Sequence, residues 1–170
     1  MISNNYNNNV NFTARLDLKN VAKNKRMWNK VAQMFEAKTE KTPYTFSIDD
    51  SNGVIDIYAI NSTRLTDMEH SCTFSKEGTK KFMALTPEKK VNKLAKLLDI
   101  FKHHDKTTNT GLECLEKLEK HDKFGTLTTS EKGDVSFYDR VLWAVMDKAK
   151  ADRSIAASKD PIFKDADFLD

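Results

Sequence analysis

The sequence predicts an α+β fold in which a small antiparallel or mixed sheet comes first and a mainly helical half follows. Three observations carry that expectation. Apolar and polar residues alternate at period two in three stretches before residue 60. An Asn-Gly pair separates the second stretch from the third. After residue 75 the apolar spacing changes to three and four, the period of helices packed through one face.

The expected order is β-α-β-β over residues 10–60, helices over residues 75–157 and a C-terminal tail over residues 158–170. Residues 1–9 are Asn-rich and read as a disordered tail, leaving residues 10–170 as one domain. In the first stretch Val10, Phe12, Ala14, Leu16 and Leu18 alternate with Asn11, Thr13, Arg15 and Asp17, which predicts a half-buried strand. A helix is expected from about residue 20 to residue 38, with Asn20 as its N-cap. Val21, Trp28, Val31, Ala32 and Phe35 would share an arc of about 100° on that helix. Thr42-Pro43 then ends it.

Tyr44, Phe46 and Ile48 alternate before Asp50-Ser51-Asn52-Gly53, and Ile55, Ile57 and Ala59 alternate after it. A two-residue type I′ turn at Asn52-Gly53 would set Ser51 opposite Val54. Ile48 then faces Ile57 and Phe46 faces Ala59, so every apolar side chain falls on one face, a self-consistent register. Residues 61–75 carry no clear period, although Cys72 to Phe74 suggests a short strand. Ser75 can cap a short helix carrying Phe82 and Leu85. Thr86-Pro87-Glu88 is a strong helix start, with Pro at the first helical position. Val91, Leu94, Leu97, Leu98 and Phe101 form the stripe behind it. A separate helix is expected over residues 111–123, where Glu113–Lys117, Glu116–Lys120 and Glu119–Lys123 stand at spacing four. The last helix, residues 136–157, should bury Val141, Leu142, Val145, Met146 and Ala149 and stop at Asp160-Pro161. Phe163, Phe168 and Leu169 would dock the tail.

Composition narrows the function classes. With 39% hydrophobic and 31% charged residues and a net charge of +3, the chain is ordinary for a globular protein and less lopsided than a dedicated nucleic-acid binder. No apolar run approaches the roughly 20 residues that cross a bilayer. Residues 1–9 lack the basic start and apolar stretch of a signal peptide. The expectation is therefore a cytoplasmic protein with no membrane partner. Lys and Asn usage fits an AT-rich, bacterial or phage-like source. Cys72 and Cys114 lack metal-finger spacing and read as two buried free thiols. Five glycines leave no Gly-rich phosphate loop, and no zinc-protease helix or nucleophile elbow is present. No cofactor and no metal site are expected.

Residues 128–139 resemble the calcium loop of the EF-hand family. Gly133 stands at the turn glycine, Val135 at the apolar position, Ser136 three places beyond the glycine, and Asp139 at the closing acid. Thr128, Ser130 and Lys132 occupy positions where that family places carboxylates, and a lysine there repels calcium. The resemblance thus implies a metal-free helix-loop-helix, or simply a plain connection between helices. Residues 105–116 match the same pattern loosely, with Asp105, Thr107, Asn109, Leu112 and Glu116, but Gly111 falls one place late.

Two constellations remain. On the first helix Lys19, Lys23, Arg26 and Lys30 would lie within about 60° of one another, opposite the apolar stripe. Such a face tracks a phosphate backbone or an acidic partner, or is simply solvated. Lys89, Lys93 and Lys96 repeat the pattern later. In the hairpin, Asp49 would lie opposite Asp56 beside Ser47 and Tyr58. Two carboxylates that close raise one pKa unless a cation such as Arg15 intervenes, and they are candidates for acid–base chemistry or hard-metal binding. His103 and His104 are adjacent and point apart, and Cys114 and His121 are about 10 Å apart along a helix. With no catalytic signature, the expectation is a non-catalytic protein that binds a protein partner. A nucleic-acid-binding accessory protein using the basic face is the alternative, and a small enzyme using Asp49 and Asp56 is a further one.

Overall fold

A computed structural model describes residues 14–39, 42–61, 68–129 and 134–169. Among these, five strands and four helices follow one another as β1 (Arg15–Asn20), α1 (Lys25–Lys38), β2 (Tyr44–Asp49), β3 (Asp56–Asn61), β4 (Met68–Thr73), α2 (Lys76–Met83), α3 (Pro87–His121), α4 (Phe137–Ser158) and β5 (Asp167–Leu169). The fold is α+β, as the change of apolar period predicts. The chain divides into two compact units, Met1–Asn92 with Asp167–Asp170, and Lys93–Ala166.

The first unit is built on a mixed sheet whose spatial order is the chain order, β1-β2-β3-β4-β5. β1 and β2 are parallel and joined through α1, and every other pair is antiparallel. Period-two patterning sets the faces. Tyr44, Phe46, Ile48, Ile57, Ala59 and Cys72 are buried, while Thr45, Ser47, Asp49 and Tyr58 are at least partly open. α1 adds Trp28, Val31 and Phe35 to the core, at the i, i+3, i+7 spacing of one helix face. Phe35 meets Phe46 at 5.4 Å, and Phe82 meets both Trp28 and Phe74, at 5.9 and 5.5 Å.

The hairpin register matches the sequence expectation, with Ile48 opposite Ile57, Phe46 opposite Ala59 and Asp49 opposite Asp56. The turn does not. A type I′ turn needs positive φ at two central residues. Here Gly53 alone has it, at 77°, and the strands stop at Asp49 and Asp56. The cause is Asp50. Its buried carboxylate accepts from Ala22 N (2.7 Å), Lys23 N (3.3 Å) and Trp28 Nε1 (3.2 Å). Ile55 N is likewise drawn to Thr79 Oγ1. A tight turn would forfeit these bonds, so the connection opens.

Asp50 also explains the displaced start of α1. β1 continues through Asn20, so Asn20 is not a cap, and the helix begins at Lys25. Asn24, at φ 56°, is its N-cap and makes no side-chain capping bond; Asn tolerates that left-handed conformation. Of the predicted first strand, residues 10–13 lie outside the described residues.

Ser75 caps α2, accepting from Gly78 N, and Pro87 opens α3, both as expected. The C-terminus of α2 is closed by Lys90, a buried residue whose Nζ donates to Met83 O (2.8 Å) and to Leu85 O, over the Phe82 ring. Burial pushes the Lys90 ammonium pKa down.

α3 is one 35-residue helix, not two. Nothing between residues 101 and 111 breaks it. The hydroxyls of Thr107 and Thr110 bond back to the carbonyls four residues earlier, and Gly111 lies inside it as a packing residue. The predicted stripe of Val91, Leu94, Leu97, Leu98 and Phe101 is buried. β5 was not expected as a strand: the tail docks by adding an antiparallel edge to β4.

Candidate functional site

The four predicted basic residues are all exposed, but they do not form one helix face. Lys19 belongs to β1 and sits 3.6 Å from Asp17, Lys23 belongs to the connection, and only Arg26 and Lys30 lie on α1. The later pattern is also altered. Lys93 and Lys96 both donate to Asp160 Oδ2, at 2.6 and 3.0 Å, so they are ion-paired. Asp160 is buried and its Oδ1 accepts from Ile162 N. Burial, the largest single influence, opposes its ionisation. The bonds from Lys93, Ile162 and Lys96 together outweigh it and hold the carboxyl below its ordinary range.

The structure brings Asp49 and Asp56 opposite one another, with Ser47 and Tyr58 in the next row. Arg15 is opposite Thr45, four residues from Asp49 along β2 and so about 13 Å away, too far to neutralise it. At Asp49 the shift in pKa is downward. Its side chain accepts from Ser51, whose hydroxyl and backbone N–H hold the carboxyl below its ordinary range. An ionised, solvated Asp49 is a turn-capping acceptor and is poorly suited to general acid work.

The loop beyond α3 is organised by protein carboxylates. Asp122 accepts from Leu127 N (2.7 Å), Thr126 Oγ1 (3.0 Å) and Phe124 N (3.3 Å). Asp139, at the closing position of the EF-hand-like segment, forms a capping pair with Ser136: Asp139 N donates to Ser136 Oγ, and Ser136 Oγ donates to Asp139 Oδ2 at 2.7 Å. Ser130, Lys132 and Gly133 lie outside the described residues. The looser match over residues 105–116 is overturned, because that whole segment is inside α3.

The second unit carries two features that the sequence reading missed. The first is the N-terminal half of α4. Phe137, Val141, Leu142, Trp143, Ala144, Val145 and Met146 are apolar, yet none of them is buried. Phe137 is 53% exposed, Trp143 54% and Met146 40%. The core expectation holds only for Ala149, and the fully buried α4 residues are Ala149, Arg153 and Ala157. A helix that is apolar most of the way round cannot direct every side to one neighbour. Arg140 and Asp147 flank Trp143 at one helical turn on either side, and Lys150 follows Met146 by one turn, so the patch has a rim of both signs.

The second feature is a groove between α3 and α4. His103 approaches Asp152 at 3.9 Å, and the site of Gly111 touches Val145, so the helices run antiparallel. A Cβ at Gly111 would lie 2.3 Å from Val145 Cγ1, so glycine is what permits the approach. The groove has a volume of about 470 Å³ and an apolar floor that includes Gly111, Val141 and Val145. Lys106, Lys148 and His103 edge it, and no carboxylate lines it. Lys148 reaches Asp152 at 3.0 Å, whereas Lys106 forms no ion pair among the described residues. Cys114 opens onto the groove and is exposed, contrary to the expectation of two buried thiols; Cys72 is buried. Cys114 and His103 are three turns apart on α3, about 16 Å, so they form no thiolate–imidazole pair. The signal was available: a glycine inside a helical run marks close packing.

No family model, curated protein or solved structure matches the chain. No helix among the described residues is long and apolar enough to cross a membrane.

Proposed function

We propose that this is a non-catalytic interaction protein that binds a protein partner through the N-terminal half of α4. The observation that carries the reading is the exposed Phe137, Trp143 and Met146 on a helix whose buried residues all lie in its C-terminal half. Exposed aromatic and Met side chains rimmed by charges of both signs are the composition of protein interfaces. A phosphate backbone would instead select a rim of one sign.

The test pairs capture with a surface variant. The Trp143→Lys, Met146→Lys double variant should fold and should lose a protein that the parent chain retains. When that protein is purified, the variant should bind it more weakly by about 2 kcal/mol or more, the scale of interface hot spots. Identical capture by the two forms, or capture abolished by nuclease, refutes the reading.

The nucleic-acid alternative is favoured only by the exposure of Lys23, Arg26 and Lys30 around the start of α1. It requires salt-sensitive DNA or RNA binding that reversal of those three charges removes.

A further inference from the structure

We propose that the α3–α4 groove is a binding site for a single-chain anionic amphiphile such as a medium-chain fatty carboxylate. The inference goes beyond the partner-binding reading: the groove shares Val141 and Val145 with the N-terminal half of α4 but is lined by neither Trp143 nor Met146.

Size selects the ligand class. Small-molecule sites span roughly 300–1,000 Å³, and 470 Å³ falls inside that range. A docked peptide helix, which seats only its apolar face in a groove, is the competing occupant, and the closing experiment separates the two.

Chemistry selects the head group. The floor is apolar, with Val141 and Val145 exposing methyl groups where Gly111 exposes none of its own. The rim has two lysines and a histidine and no acid. Lys148 is already shared with Asp152, so Lys106 is the cation left to meet a carboxylate. A carboxylate gives the exposed Lys106 ammonium a charge-assisted partner that a neutral chain does not, and a cationic head group would be repelled.

The two cysteines supply an internal assay on the full chain. Cys114 reports the groove, and buried Cys72 reports unfolding. Dodecanoate below its micelle concentration, at ten times its dissociation constant, should slow alkylation of Cys114 by iodoacetamide about tenfold while Cys72 stays unreactive. Dodecyltrimethylammonium should give little protection. Lys106→Glu should weaken dodecanoate protection several-fold. Val141→Trp, which fills the groove without altering its charges, should abolish dodecanoate retention in equilibrium dialysis while the melting temperature is kept. The proposal is overturned by unchanged Cys114 reactivity, by equal protection from the cationic amphiphile, or by Cys72 becoming reactive in step. Protection by an acidic amphipathic peptide with none from dodecanoate overturns it as well, and identifies a peptide groove instead.

Discussion

Replacing Asp160 with Asn tests whether a buried carboxylate holds the C-terminal turn onto α3. Asn is nearly the same size, and its Oδ1 can still accept from Ile162 N. What changes is the position of Oδ2, which now accepts 2.6 and 3.0 Å bonds from Lys93 and Lys96. In the variant, an amide NH₂ would face two ammonium groups. Each charge-assisted bond is worth about 1.5–3 kcal/mol when shielded. The Lys93 bond keeps most of that value, because its side chain is 28% exposed. The Lys96 side chain is 45% exposed, so its share is screened to about 1 kcal/mol or less. The expected loss is about 3 kcal/mol, at the low end of the cost of breaking a buried pair, since both ammoniums can swing into water. For a chain of this size that is a fall in melting temperature of about 6–12 °C, read by far-ultraviolet circular dichroism.

The pH dependence gives a second readout. The folded pKa of Asp160 lies below the ordinary carboxyl value of 3.8. Its stabilisation is therefore complete above about pH 5, where the unfolded carboxyl is also almost fully ionised, and it is lost as pH falls through the folded value. The variant should lack that component of acid destabilisation. A melting temperature within about 2 °C of the parent, or an unchanged acid limb, would refute the electrostatic account.

Two further substitutions probe the packing that shapes the sites. Gly111→Ala should lose about 1–2 kcal/mol in urea unfolding, because overpacking against Val145 exceeds the helix-propensity gain of alanine. Adding Val145→Ala should recover most of that loss, and an additive double variant would show that the close approach is not the cause. Asp50→Ala leaves the Trp28 indole and the Ala22 and Lys23 amides without their acceptor and should cost about 3 kcal/mol; Asp50→Asn should cost less, and equal losses from the two would contradict the acceptor role.

Patterning of single elements was legible in the chain. Period-two alternation set the β2–β3 register and the pairing of Asp49 with Asp56, because a slip of one residue would send Phe46 and Ile57 to the wrong face. Local capping chemistry located Ser75 and Pro87, since a cap acts within four residues of its own position.

Tertiary structure decided whatever depends on partners far along the chain. Asp50 accepts from residues 22 to 28 positions away, which widens the turn and delays α1 until Lys25. That delay places Lys19 on a strand and dissolves the basic helical face. Asp160 reaches back 67 and 64 residues to Lys93 and Lys96 and pairs two apparent surface charges with one buried carboxylate. A helical period shows that α4 has apolar faces but cannot show whether a neighbour covers them. Phe137, Trp143 and Met146 stand exposed, and the groove beside Gly111 exists, because of how α3 and α4 approach each other.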